Sequence, residues 1–265
     1  MDKKLIVLCL LGLACLVPTL QAQIKWPEGK KAAVILTYDD NLKSHHEVVM
    51  PQLEAKGFRG TFFLYGYPMK AEDIPLWRDV SKRGHELGNH SMFHQCATEV
   101  TDAPLCRSLK CYTIKDILAE VRIMKSLLYA IDGKEQYAYA YPCGHSETID
   151  GDYSVPMMEA GLANYGRGAG VVGIVSDFQA LNLARVPTIS TRAGWSGEKL
   201  ISYVQEALDK NGMVVFIFHG VGGDYMKVEA EDHQELVDFL ANHPEIWVGT
   251  FTEVLDHIAP KSKNK

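Results

Sequence analysis

Three short stretches of this chain hold side chains whose types and spacing could do chemistry. "GHELGNHSMFHQC", Gly84 to Cys96, sets His90 and His94 four residues apart. "LTYDD" puts Asp39 beside Asp40, and "VVFIFHG" ends on His219. Two imidazoles and one carboxylate form a donor set for zinc or a similar divalent ion, and H-x-x-x-H would bring both rings to one side of a single helical turn. Such a centre keeps one position open for water. A neighbouring carboxylate could then take a proton from that water, and a histidine across the site could protonate a leaving group. Each stretch alone has an ordinary explanation. Paired aspartates start turns or cap helices, a histidine pair arises by chance among ten histidines, and a single His219 suits a satisfied core position. The three together are harder to explain that way.

The elements that must position these residues alternate between short β-rich runs and amphipathic helices. "AAVILTY" (32–38), "GTFFLYG", "HELGNH", "QYAYAYP", "LANYG", "LARVPTI", "MVVFIFHG" and "IWVGTF" read as strands. "SHHEVVMPQLEAKG", "AEDIPLWRDVSKRG", "TIKDILAEVRIMKSLLYAI", "GDYSVPMMEAG", "SGEKLISYVQEALDKNG", "EAEDHQELVDFLANHP" and "TEVLDHI" read as helices, several closed by glycine. Residues 96–113 read as a surface loop. The alternation predicts an α/β fold, a parallel sheet or a (β/α) barrel, in one domain over 23–259. In such folds functional groups gather at the C-terminal ends of strands, where Asp39, Asp40, His90, His94 and His219 all fall.

The first 22 residues stand apart. Lys3 and Lys4 precede an apolar run from Leu5 to Val17 and a short polar region ending "LQAQ". This is the pattern of a signal peptide cleaved after Ala22, so the protein is expected to be exported, periplasmic or secreted. A lipid anchor on Cys15 is the lesser alternative. The run is short for a membrane span. The tail 260–265, "PKSKNK", reads as disordered. Formal charge is −6 and charged residues make up 23% of the chain. An acidic protein without a basic block is a poor nucleic-acid binder. Cys96, Cys106, Cys111 and Cys143 remain after cleavage, an even number that suggests disulfides in an exported protein. Three pairings are open.

The sequence resembles the polysaccharide deacetylase family, whose shared region is the NodB homology domain. The family's T-F-D-D motif reads "TYDD" here, its H-[S/T]-x-x-H motif reads "HSMFH", and its late motif ending in histidine reads "IFH". The resemblance implies a distorted, seven-stranded (β/α) barrel. It implies that Asp40, His90 and His94 bind the metal, that Asp39 is the catalytic base, and that His219 is the acid. The family's arginine-bearing third motif departs: "YAYPCG" puts Ala140 in the arginine's place and Cys143 in place of an aromatic residue. Pro142 and Gly144 keep the turn, so the Cys143 N–H is expected to face the oxyanion. Arg167 or Arg185 could supply the missing guanidinium, although a structural or surface role is the expectation for Arg167. "SDFQALNLARVP" stands where the fourth motif belongs, with Asp177 and Arg185 as weak substrate candidates.

Other residues draw plainer readings. His45 and His46 are expected to be solvated, and His233 and His243 to lie on or after a polar helix face. His85 is a strand-start residue or a partner of the motif that follows. Trp195 could stack on a sugar ring or simply pack. "HGVGGDY" is a glycine loop able to shape a substrate mouth, without the ending of a phosphate loop. The expectation is an exported deacetylase removing N- or O-linked acetyl groups from an acetylated carbohydrate with one divalent ion. Zinc suits the ligands best, and cobalt, nickel, iron or manganese could replace it. The rival readings are a hydrolase of non-sugar amides or cyclic ureides on the same scaffold, and an inactive carbohydrate-binding protein.

Overall fold

The computed structural model describes residues 24–98 and 108–259. The signal segment 1–22 with Cys15, the tail 260–265 and Cys106 lie outside the described residues. Along the chain run β1 (Ala32–Asp39), α1 (Met50–Ala55), β2 (Thr61–Leu64), α2 (Asp73–Lys82), β3 (Glu86–Asn89), α3 (Ile114–Asp132) and β4 (Tyr139–Ala140). A small hairpin, β5 (Glu147–Thr148) and β6 (Gly151–Asp152), leads to α4 (Ser154–Glu159). Then follow β7 (Gly166–Val172), β8 (Val186–Ser190), α5 (Gly197–Asp209), β9 (Met213–Phe218), α6 (Ala230–Ala241), β10 (Ile246–Gly249) and α7 (Phe251–Ile258).

Strands β1, β2, β3, β4, β7, β8 and β9 pair in that order, all parallel, and β9 returns to β1. The result is a closed seven-stranded barrel. β10 adds to the first half of β1, with Ala32 opposite Ile246. Because side chains alternate along a strand, β1 divides its residues between two cores. Val34, Leu36 and Tyr38 pack outward with Leu53, Leu200 and Leu236 of the helices. Ala33 and Ile35 face inward with Phe63, Ala140 and Val215. Thr37 and Asp39 continue that inward row, so the strand's last residue carries a carboxylate into the barrel.

Helix α3 shows how local signals serve the site. Thr113 and Asp116 form a capping box, and Gly133 ends the helix at φ 75°. Ile117, Val121, Met124, Leu128 and Ile131 recur at three- and four-residue spacing and are buried. Each such burial stabilises the fold by about 1.5–3 kcal/mol. Between them Glu120, also buried, accepts from the Phe93 N–H at 3.3 Å and from Gln95 at 3.4 Å, supporting the turn that carries His94.

Two histidines depart from the sequence reading. His45 is fully buried in a π-helical turn (His45–Val49), where its Nε2–H donates to the His219 carbonyl at 3.0 Å. His233 is fully buried between the Tyr38 hydroxyl (2.8 Å) and Gln52 (2.5 Å). His46 is half-buried against Trp77, with ring centroids 4.4 Å apart. His85 is buried; its Nδ1 accepts from the Gly60 N–H and its Nε2–H donates to Glu54. His243 stacks on Phe239 at 3.8 Å. Burial lowers the pKa of His45 to about 4 and that of His233 to about 3. The unfolded chain therefore takes up protons below about pH 6.5 that the folded chain refuses, and stability falls as pH drops from about 6.5 toward 4. Each histidine contributes on the order of 3 kcal/mol to that loss by pH 4. The thermal midpoint of chelator-stripped protein should fall steeply between pH 7 and 4.5. A flat profile would show that these rings are not held neutral.

Candidate active site

At the C-terminal mouth of the barrel lies a cavity of about 500 Å³ lined by Asp39, Asp40, His90, His94, Arg167 and His219, among others. The chain turns sharply as it enters this region. Asp40 (φ 80°), Asn41 (58°), Ser91 (65°), His94 (53°) and Cys143 (55°) all adopt left-handed backbone conformations. Non-glycine residues seldom do so unless the surroundings over-determine them, and such outliers cluster at functional sites. Here the surroundings are explicit. The Asn41 side chain clasps the Tyr65 backbone at both N–H and C=O, at 3.1 and 2.8 Å. Asn89 accepts from the Ser91 N–H at 2.9 Å, and the Ser91 hydroxyl accepts from the His94 N–H at 2.9 Å. The two histidines therefore come together through a side-chain-braced turn rather than the helical turn that their spacing suggests, with ring centroids 4.7 Å apart.

His90 Nδ1–H donates to the Ala140 carbonyl at 2.8 Å, which fixes its tautomer and leaves the Nε2 lone pair facing inward. Burial lowers the His90 pKa to about 4, so the ring is neutral. Asp40 Oδ1 lies 3.5 Å from His90 Nε2 and 3.4 Å from His94 Nε2. This oxygen is buried and has no hydrogen-bond partner among the described residues. An orphaned carboxylate oxygen facing two imidazole nitrogens is costly unless a cation completes it. The three donor atoms lie within 4.8 Å of one another, so Asp40, His90 and His94 fit a divalent ion.

Asp39 is held differently. Arg167 donates to both of its oxygens, Nη1 to Oδ1 at 2.7 Å and Nη2 to Oδ2 at 2.6 Å. The guanidinium also donates to the Thr37 hydroxyl at 2.8 Å and sits 4.6 Å from the Phe63 ring centre. Thr37 in turn donates to the Phe216 carbonyl at 2.5 Å. Burial alone would push the Asp39 carboxyl up. The Arg167 charge and hydrogen bonds, with His90 and His219, outweigh that and hold it well below the usual carboxylate range. His219 faces the same cavity, with Nε2 3.6 Å from Asp40 Oδ2.

Arg167 is thus neither a surface nor a purely structural residue. It stands directly opposite Ala140 in the β4–β7 register. The guanidinium missing from β4 is supplied by the neighbouring strand. Arg185 does not serve this purpose: it pairs with Asp152 and donates to Ser146 and Ser154 beside the small hairpin. Neither Arg185 nor Trp195 lines the cavity. Trp195 stacks on Tyr203 at 5.6 Å and packs against the outer core. Asp177 caps its own loop by accepting from the Gln179 and Ala180 N–H groups. Pro142 is buried in the turn, while Cys143 and Gly144 line the cavity. Cys143 forms a disulfide with Cys96, tying that turn to the chain just past His94. Cys111 is also disulfide-bonded.

Sequence reading offered Arg167 beside Arg185 for the guanidinium but favoured a structural or surface role for it, and it missed Tyr225, whose hydroxyl donates to Asp40 Oδ2. The only sequence signals were a lone arginine in "GRGAGVV" and an aromatic residue closing "HGVGGDY". Neither signal carries a direction in space.

The closed parallel barrel thus gathers a carboxylate pair and three histidines at its C-terminal mouth. Residues 27–153 match the sequence model of the polysaccharide deacetylase family, whose members are hydrolases acting on acetyl amide and ester bonds. Many solved structures share the fold, and three illustrate it. One is a protein from Mycobacterium smegmatis assigned to the polysaccharide deacetylases (TM-score 0.62, 16% identity, 89% of this chain and 93% of that one). Another is the catalytic domain of a peptidoglycan N-acetylglucosamine deacetylase from Eubacterium rectale (0.54, 15%, 89% and 94%). The third is a family 4 acetyl xylan esterase from Clostridium thermocellum in complex with a cobalt ion (0.53, 15%, 84% and 90%). A gellan lyase from Bacillus sp is 26% identical over 170 residues, covering 64% of this chain, and the match spans only 6% of that relative's length.

Proposed function

We propose that this protein is an exported, metal-dependent carbohydrate deacetylase that hydrolyses N- or O-linked acetyl groups from a poly- or oligosaccharide. The observation that carries the reading is the buried, unpartnered Asp40 oxygen between two imidazole nitrogens, beside an arginine-clamped Asp39. Export rests on the N-terminal segment and on the Cys96–Cys143 disulfide, which suits an oxidising compartment.

Asp40, His90 and His94 would hold a divalent ion, which supplies Lewis acidity toward the acetyl carbonyl and the attacking water. Asp39 accepts the proton of that water. Arg167 keeps Asp39 ionised and fixes both its oxygens, so the lone pair used as base is already aimed. The Cys143 N–H, on its left-handed turn at the cavity wall, serves the developing oxyanion. His219 protonates the departing sugar amine or hydroxyl, and acetate leaves. The cavity accommodates a sugar-sized group, and the same groups would serve an ester or an amide.

Purified protein should release acetate from at least one member of a panel of N- and O-acetylated oligosaccharides. A chelator should abolish release, and zinc or cobalt should restore it. Release insensitive to chelator, or none from any substrate in metal-loaded protein, would overturn the reading.

A further inference from the structure

Asp40 makes two kinds of contact with its two oxygens. Oδ1 faces His90 and His94 without a partner, whereas Oδ2 accepts from the Tyr225 hydroxyl. We propose that Tyr225 is a positioning residue for Asp40: its hydroxyl occupies the rear oxygen and so presents Oδ1 to the metal. The proposal rests on the metal-dependent reading above.

The loop that delivers Tyr225 is built rather than slack. Gly220 N–H donates to the Tyr225 carbonyl at 3.1 Å, Gly222 N–H donates to Val228 at 2.8 Å, and Val228 N–H returns to Gly220 at 3.0 Å. A Cβ at Gly220 would overlap the Gly223 carbonyl oxygen, so the turn closes only with glycine there. Asp224, in a left-handed conformation at φ 62°, accepts from the Ser44 N–H at 2.8 Å and pins the loop to the start of the helical segment after β1. Tyr225 is half-exposed, and its ring lies 5.8 Å from that of His219 on the cavity wall. One side chain thus touches a candidate ligand at its tip and the cavity with its ring.

The alternatives open to Asp40 explain why the hydroxyl matters. His219 Nε2 is 3.6 Å from the same Oδ2 and could draw the carboxylate toward itself. With Tyr225 in place the carboxylate cannot rotate without breaking a charge-assisted hydrogen bond. Partners of this kind, bonded to a metal ligand, typically change metal affinity by 10–100-fold.

The test compares wild type with Tyr225→Phe, which keeps the ring and removes only the hydroxyl. Metal-free protein is titrated with cobalt(II), read by its visible absorption, and with zinc against a chromogenic chelator. Tyr225→Phe should bind both ions about tenfold more weakly and show an altered cobalt spectrum. The thermal midpoint of its metal-free form should match wild type, which a merely structural role would not predict. Equal affinity and an unchanged spectrum in Tyr225→Phe would overturn the proposal while leaving the metal-dependent reading intact. A wild type that binds neither ion would overturn both.

Discussion

Asp39→Asn should lower kcat for acetate release by about 10³-fold, within the range for loss of a general base. The bound metal should stay at the wild-type level, because Asp40, His90 and His94 are untouched. An asparagine oxygen still accepts from Arg167, but its amide nitrogen must face a second guanidinium N–H that now lacks an acceptor. Some loss of stability should accompany the loss of rate, and a thermal melt beside the kinetics separates the two. An inactive carbohydrate-binding protein would behave differently: it would have no activity to lose and would keep its sugar affinity. A variant with unchanged kcat would remove Asp39 from the base role.

Arg167→Ala carries the second large expectation. It leaves the Asp39 carboxylate buried without its guanidinium, a change that costs about 3–5 kcal/mol for a broken buried pair. Burial then acts on Asp39 unopposed and raises its pKa, since the groups that hold it down have lost their largest member. The base is protonated over more of the pH range, so the acidic limb of the kcat/KM profile moves to higher pH. Arg167→Lys tests the same idea if the alanine variant fails to fold, because it keeps a charge but loses the two-pronged geometry. The register supplies a rescue. Ala140 lies directly opposite Arg167 across β4–β7 and belongs to the inner core that includes Phe63. Adding Ala140→Arg to Arg167→Ala should restore part of the activity and move the acidic limb back. Failure of every such variant to shift the limb would show that the clamp is structural alone.

The helix-loop histidines show where sequence patterning misleads. His45 and His233 sit among polar neighbours in the sequence, yet both are fully buried. Each finds its partners on other elements, His219 for the first, Tyr38 and Gln52 for the second. Burial of a polar ring is decided by whether a distant group satisfies it, and no local window contains that group. Strand β7 shows the opposite failure. "GRGAGVV" has little strand propensity, and the expected strand near 162–166 lies earlier than the observed Gly166–Val172. Glycine is needed there because a Cβ at Gly166 would overlap the Ala184 carbonyl oxygen. A strand shaped by close backbone approach reads as a loop.

By itself, the sequence determined the alternation of elements, the seven-stranded parallel barrel through the family resemblance, and the five polar residues at strand ends. Those are short-range properties: hydrophobic period, capping residues, and side chains placed at the ends of strands. Only the tertiary structure decided that Arg167 replaces the absent arginine at Ala140, that Cys96 pairs with Cys143, and that Tyr225 reaches Asp40. Each of these joins residues 27 to 185 positions apart, 27 between Ala140 and Arg167, 47 across the disulfide and 185 from Asp40 to Tyr225. The physical reason is that a guanidinium enters the barrel through strand register and a loop residue reaches the site through closure of its turn. Both are properties of how elements meet, and a linear pattern holds no record of them.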